Sequence, residues 1–466
     1  MLGILVSLLI SALPITGTFL NLPYQDVRNK YTNPPHMDCT DPLMWEAKVE
    51  EMSGMGMEYL VIMAVANDGK AFYPSGLMPW QYAKGRKSPV DAIMDAAARN
   101  GMKVFMSTGW AKDQDDNLRD PAIKQRQIDM MTELSVIYGN HPAMYGWYLP
   151  VEDCLGPVLT DYAVDAVNAL TEKARSLTPG KKILISPYGI FNSDFDDPRY
   201  AEQLSRLKVD IIAYQDEIGC VRERYPLPRL RDNWKKLRAI HDATGVEMWA
   251  NCESFAWEKA TNDRTSALIP APYSRLLAQQ AAATAGGADR IISFMMYGIY
   301  EAPASVYQLG QPYWSHRAYE DYMSWLSGDR YWKVVENTFM GLYGNLAQED
   351  ISDPAWIWYR PGTHEAVLAV DKGIKVESLL VRMLNSAKDG VNLPERLCLY
   401  VSADGKDYNL VEIKECPVFP NTRHDSFIDA VLFDSISQKY GSEIRYVKVL
   451  FSSDSKSALD RIIVNP

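Results

Sequence analysis

Between about residues 15 and 325 the chain repeats one unit: a short apolar run rich in β-branched and aromatic residues, a polar loop, then an amphipathic segment at helical spacing. The candidate strands are Ile15 to Leu20, Glu58 to Val65, Lys103 to Ser107, Met144 to Leu149, Lys182 to Ser186, Val209 to Tyr214, Val246 to Asn251 and Arg290 to Met295. Helical stretches alternate with them: Pro42 to Met52, Pro89 to Asn100, Ile123 to Ile137, Asp161 to Leu177, a short one at Tyr200 to Leu207, Leu230 to Thr244, Tyr273 to Ala285 and His316 to Leu326. Strands joined by helical crossovers build a parallel sheet, and eight consecutive units predict closure into a (β/α)8 TIM barrel. A dinucleotide-binding open sheet loses ground, because Gly17-Thr-Phe-Leu-Asn21 lacks the later glycines of the phosphate-binding turn.

After Leu326 the helical period stops. Short alternating strands follow at Glu365 to Val370, Val376 to Leu384, Leu397 to Ser402, Phe427 to Phe433, Tyr446 to Phe451 and Arg461 to Val464, with a hairpin signal at Ala403-Asp-Gly-Lys406. The expected organisation is therefore a barrel over 15–330 and a β-sandwich of jelly-roll type over 345–466, preceded by a signal or extension at residues 1–14. The opening run Met1 to Ala12 is shorter than the roughly 20 apolar residues a span requires, so it reads as an export signal, and no membrane-spanning segment follows. Export to the periplasm or cell surface is the expected localisation.

A net charge of −11 without a lysine or arginine stripe argues against nucleic acid as a partner. Six scattered cysteines form no CxxC pair, so neither a zinc site nor a disulfide framework is signalled. No histidine and carboxylate cluster falls at strand ends, no GxSxG elbow is present, and no metal or cofactor is expected. The 12 Trp and 27 Tyr exceed what a core alone demands, and flat rings are a common way to hold sugars.

A barrel carries its chemistry at the carboxyl ends of its strands. The fourth candidate strand ends in Gly146-Trp-Tyr-Leu-Pro-Val-Glu152-Asp153, and the seventh in Met248-Trp-Ala-Asn-Cys-Glu253, where Trp249, Asn251 and Glu253 share one face by the period of two. Two carboxyl groups on opposite sides of a mouth match glycoside hydrolysis, in which one protonates the leaving oxygen and the other attacks carbon or activates water. Glu152 and Glu253 are the candidate pair. Trp147, Tyr148 and Trp249 are candidates for a ring platform, and Gln215 and Asp216 for hydroxyl contacts or for orienting a carboxylate. Asn21, Trp110, Tyr188, Asn192, Tyr297 and Glu301 complete the expected substrate-binding set; Asp113 is a further wall residue, and Asp153 a helper or cap.

The motifs Ile15-Thr-Gly-Thr-Phe-Leu-Asn21, Gly146-Trp-Tyr-Leu-Pro-Val-Glu152, Asp210-Ile-Ile-Ala-Tyr-Gln-Asp216 and Trp249-Ala-Asn-Cys-Glu253 together resemble a glycosidase-like barrel family of unknown function found chiefly in gut-type Bacteroidetes. More distantly the pattern is similar to the clan of retaining glycosidases, and that similarity implies Glu152 as acid/base and Glu253 as nucleophile. Two departures stand out: Val151 replaces the clan's asparagine, and Ser293-Phe-Met-Met-Tyr297 lacks its tryptophan. A donor for the sugar 2-hydroxyl would then come from Asn251 or Gln215. The tail, with Leu399-Tyr-Val-Ser-Ala-Asp-Gly-Lys-Asp-Tyr408 and Arg445-Tyr-Val-Lys-Val-Leu450, looks like the discoidin (factor 5/8 type C) jelly roll, similar to many carbohydrate-binding modules.

Two further readings stay open: an inverting enzyme pairing Glu152 with Asp216 or Glu253, and a barrel that binds glycans without cleaving them. The sequence specifies neither the sugar and linkage nor the oligomeric state.

Overall fold

A computed structural model describes residues 12–23, 37–109, 118–220, 227–257, 268–271, 273–309, 314–327, 332–337, 357–370, 372–386, 390–416, 426–441 and 443–465. Most of the expected export segment, together with Trp110 and Asp113, lies outside these residues. Eight parallel strands, β1 (Ile15–Asn21), β2 (Tyr59–Ala64), β3 (Lys103–Met106), β4 (Met144–Tyr148), β5 (Lys182–Ile185), β6 (Ile211–Gln215), β7 (Glu247–Glu253) and β8 (Arg290–Phe294), form a closed barrel. Closure is made by β1, which pairs with β2 on one side and with β8 on the other.

The helices between them are α1 (Pro42–Gly54), α2 (Pro89–Arg99), α3 (Pro121–Tyr138), α4 (Asp161–Leu177), α5 (Pro198–Arg206), α6 (Leu227–Asp242), α7 (Tyr273–Ala285) and α8 (Trp314–Ser327). Four of their starts share one local chemistry. Asp41, Ser88, Asp120 and Asp197 each cap a helix whose first turn carries proline. The cap side chain takes an orphan N–H, and proline lacks the N–H that would otherwise go unpaired.

The period of two along each strand divides the apolar residues into two cores. Phe19, Tyr59, Val61, Phe105, Tyr148, Leu184, Ile211, Ala213, Trp249 and Ile292 fill the barrel interior. Residues of the opposite parity, among them Leu20, Ile62, Trp147, Ile183 and Ile291, pack against the helices. The interior is closed below by rings: Trp249 lies 5.0 Å from Tyr59 and 6.0 Å from Phe105 between ring centroids. Gly146 makes room for that plug, since a Cβ there would come within 2.9 Å of the Phe105 ring and 2.3 Å of the Lys182 carbonyl oxygen.

Beyond α8 the chain forms two antiparallel sheets. One has the order Trp332–Asn337, Gly362–Val370, Tyr446–Ser453, Arg396–Ser402, Asn409–Glu415; the other has Ile357–Tyr359, Ser457–Val464, Leu379–Ser386, Ser426–Phe433. Leu368, Leu399, Val449 and Phe451 of the first share a core with Val381, Met383, Leu459 and Phe433 of the second, so the tail is a β-sandwich. The expected hairpin at Ala403 to Lys406 joins Arg396–Ser402 to a strand, Asn409–Glu415, that the apolar pattern did not reveal. Asp404 builds the turn by accepting the N–H groups of Lys406 and Asp407, and these bonds hold its carboxyl below the usual range.

Among the described residues no helix is long and apolar enough to cross a membrane, and no group of three or more His, Cys, Asp or Glu is placed to hold a metal ion.

Candidate active site

Glu152 follows β4 by four residues and is exposed at the mouth. The Gln215 side chain at the end of β6 donates one hydrogen to Glu152 Oε1 at 2.9 Å and the other to the Ser186 carbonyl at 3.0 Å. Tyr148 stands inside the barrel below it. Burial, and then the negative charge of Glu152, push its hydroxyl far above the usual tyrosine range, so it stays protonated. Tyr188, 37% exposed, has its hydroxyl raised by burial and then by Cys154, Glu152, Asp153 and Glu217. These groups thus sit at one rim.

Glu253 ends β7 and is 5% exposed. Its Oε2 accepts the Cys220 N–H at 2.6 Å. The chain passes so close here that a Cβ on Gly219 would fall 3.1 Å from the same oxygen. Behind it, the Glu253 N–H donates to Asp216 Oδ1 at 3.2 Å, while Gln279 of α7 donates to Asp216 Oδ2 at 2.6 Å and to the Glu253 carbonyl at 3.1 Å. The backbone of Glu253 is held from two sides.

Asn251 lies one inward position below Glu253, donating to Ser186 Oγ at 3.2 Å. Phe19, Tyr148 and Phe294 form an apolar wall, with Phe19 5.3 Å from Tyr148 and 5.9 Å from Phe294. Asn21 is buried at the end of β1, and its side-chain oxygen has no donor among the described residues. Asn192 is exposed at the rim beside Cys154.

Five expected contacts need correction. Trp147 faces the helices, where its indole N–H donates to Thr178 Oγ1 at 2.8 Å, because Tyr148 takes the inward position. Trp249 does share a face with Glu253 but lies in the ring plug, with its N–H on Glu247. Asp216 has outward parity, and its bonds to main chain and to Gln279 turn it away from the mouth. Tyr297 packs on Trp45 and donates its hydroxyl to the Asn21 carbonyl. Glu301 is buried against Lys48 of α1 at 3.5 Å and accepts the Leu309 N–H.

Two residues were missed. Phe294 occupies the strand 8 end, at the place where only a tryptophan was sought, and is partly exposed. Glu217 is 7% exposed with a positive φ of 56° and accepts the Gly189 N–H at 2.9 Å. That backbone conformation breaks the alternation used to assign directions.

Residues 15–307 match the family described as Domain of unknown function (DUF4434). The chain belongs to the DUF4434 family. Among solved structures, a candidate alpha-L-fucosidase from Bacteroides thetaiotaomicron is 19% identical, with a TM-score of 0.54 over 71% of this chain and 100% of that one. A GH5_18 protein from Streptomyces cattleya, in complex with Manβ1-4GlcNAc, is 15% identical over 68% of this chain and 82% of its own, TM-score 0.39. The C-terminal domain of a chitobiase from Bacteroides fragilis is 17% identical over 28% of this chain and 91% of its own, TM-score 0.21. No curated protein matches. At such identities the likeness to the first of these is one of fold. The DUF4434 segment thus covers the barrel from β1 to the chain just past β8.

Proposed function

We propose that this DUF4434 protein is a glycoside hydrolase with Glu152 as acid/base and Glu253 as nucleophile. The observation that carries the reading is the unequal holding of two carboxylates at one barrel mouth. Glu152 is exposed, tethered by Gln215, as suits a group that exchanges protons with water. Glu253 is buried and anchored through the Cys220 N–H and its own backbone, as suits a group that must attack along one line. In the first step a Glu253 oxygen bonds to the anomeric carbon while the bond to the leaving oxygen breaks and that oxygen takes the Glu152 proton. In the second, water gives a proton to Glu152 and its oxygen displaces Glu253, restoring both side chains. The apolar wall of Phe19, Tyr148 and Phe294 suits the face of a sugar ring. The opening run Met1 to Ala12 supports export as the setting for such a reaction.

A panel of 4-nitrophenyl glycosides, the α-L-fucoside included, tests this. Wild type should turn over at least one, and Glu253→Gln should lower kcat by about 10³-fold or more. Glu152→Gln should cost about 10²- to 10⁴-fold with an alkyl leaving group and less with nitrophenolate, which departs without a proton. Proton NMR of the first anomer released distinguishes retention from inversion. Glycan binding without turnover, unchanged in both variants, would make the barrel a recognition module.

A further inference from the structure

Tyr188 stands three residues past β5 and is 37% exposed; no other described aromatic side chain is as open to solvent. The ring is bare, but the backbone that carries it is fixed on both sides. Toward β4, the Tyr188 N–H donates to the Asp153 carbonyl at 3.2 Å and the Tyr188 carbonyl accepts the Leu155 N–H at 2.8 Å, a parallel bridge to the segment that follows Glu152. Toward β6, the Pro187 carbonyl accepts the Gln215 N–H at 3.0 Å and the Gly189 N–H donates to Glu217 Oε2 at 2.9 Å. Gly189 lets the first two segments touch, since a Cβ there would lie 2.7 Å from Cys154 Sγ and 2.9 Å from the Leu155 nitrogen. A flat ring is thus presented to solvent on a rigid mount, which lowers the ordering cost of binding at that ring.

The mount also fixes which part of a substrate the ring meets. Residues 153–155, to which Tyr188 is bridged, continue directly from Glu152, and Gln215 holds both Glu152 and Pro187. Glu152 and Tyr188 therefore share one rim, whereas Glu253 ends β7, two strands beyond β5 in the barrel order. A group that protonates the leaving oxygen lies on the leaving group's side of the bond, opposite the nucleophile. The wall of Phe19, Tyr148 and Phe294 is left for the sugar that Glu253 attacks. Burial, and then Cys154, Glu152, Asp153 and Glu217, keep the Tyr188 hydroxyl protonated, so the ring is neutral and has a hydrogen to donate. Asn192, exposed beside Cys154, adds an amide. An apolar face edged by polar groups matches a pyranose, which has an apolar C–H face and a rim of hydroxyls. We propose that Tyr188 is the platform for the leaving group, and that the leaving group is a second sugar stacked on its ring. The inference rests on the hydrolase reading and narrows its substrate to a di- or oligosaccharide, cleaved between two sugars.

The test holds the cleaved sugar constant and changes what leaves. The sugar found with the 4-nitrophenyl panel is offered to wild type, Tyr188→Phe and Tyr188→Ala as its methyl glycoside and as its disaccharides with glucose, galactose and N-acetylglucosamine in each linkage. Methanol needs the Glu152 proton as a departing sugar does but offers no face to the ring, so a variant that only displaced Glu152 would slow both alike. Wild type should favour one disaccharide over the methyl glycoside by at least about 10-fold in kcat/KM. Tyr188→Ala should lower that preference about 10-fold, and Tyr188→Phe should keep most of it, because the ring suffices. A preference unchanged in Tyr188→Ala, a preference lost equally in Tyr188→Phe, or a wild type that cleaves no disaccharide faster than the methyl glycoside overturns the inference. In each of these cases, hydrolysis of the nitrophenyl glycoside that still depends on Glu152 and Glu253 leaves the hydrolase reading standing. A folded wild type that turns over no glycoside at all rejects the hydrolase reading, and this inference with it.

Discussion

Gln279 gives one amide hydrogen to Asp216 and the other to the carbonyl of Glu253, so a helix residue outside the barrel fixes a carboxylate at its mouth. Gln279→Leu removes both bonds at nearly constant volume. It should lower stability by about 2–4 kcal/mol, read by urea unfolding, and, on the proposed hydrolase reading, lower kcat more than it raises KM. A second buried chain lies behind β6. Tyr200 and Tyr214 hydroxyls are 2.5 Å apart, Tyr214 reaches His241 Nε2 at 2.8 Å, and His241 Nδ1 reaches the Val246 carbonyl at 2.7 Å. Nδ1 must donate to that carbonyl, so Nε2 accepts from Tyr214. Burial lowers the His241 pKa to about 4 from an ordinary 6.5. The unfolded chain therefore binds the extra proton first as pH falls. Stability from this site is complete above pH 6.5 and is lost progressively toward pH 4, by about 3 kcal/mol in all. His241→Gln should show a flatter fall in unfolding free energy over that window. Site residues were legible where a strand's alternation persists, as at Asn251 and Glu253. They were not where the strand ends: Glu217, two residues past β6, has a positive φ of 56°, and Tyr297 and Glu301 lie in the chain beyond β8, where a strand's alternation no longer applies.

At the level of elements, the repeated cap and proline at the starts of α1, α2, α3 and α5 give those crossovers a defined first turn. Ser88 carries the fullest version, a capping box in which Ser88 and Asp91 each accept the other's backbone N–H. Ser88→Ala should cost about 1 kcal/mol in thermal or chemical unfolding. All eight barrel strands were readable because both faces of each are apolar in a closed parallel sheet. Asn409–Glu415 was not, because it is an edge strand whose exposed, charged positions interrupt the apolar pattern. Only the turn before it announced a partner.

For the whole molecule, the apolar residues form separate cores: one between strands and helices, one inside the barrel, and one between the two sheets of the sandwich. The first two share every barrel strand and must melt together, while the third shares none. Calorimetry should resolve two transitions, and a Gln279→Leu substitution should move only the barrel's. One transition seen by every probe would instead mean that the sandwich and barrel unfold as a unit. The ring plug of Tyr59, Phe105 and Trp249 has a further consequence for traffic. The plug closes the barrel's floor, so if the barrel hydrolyses glycosides as proposed, a sugar seated against it would enter first and leave last. The fragment nearer the mouth would depart freely, while the one behind it waits. Under the proposed hydrolase reading, a released sugar that lingers in this way would compete with the next substrate, and accumulated product is expected to slow turnover before the substrate runs out.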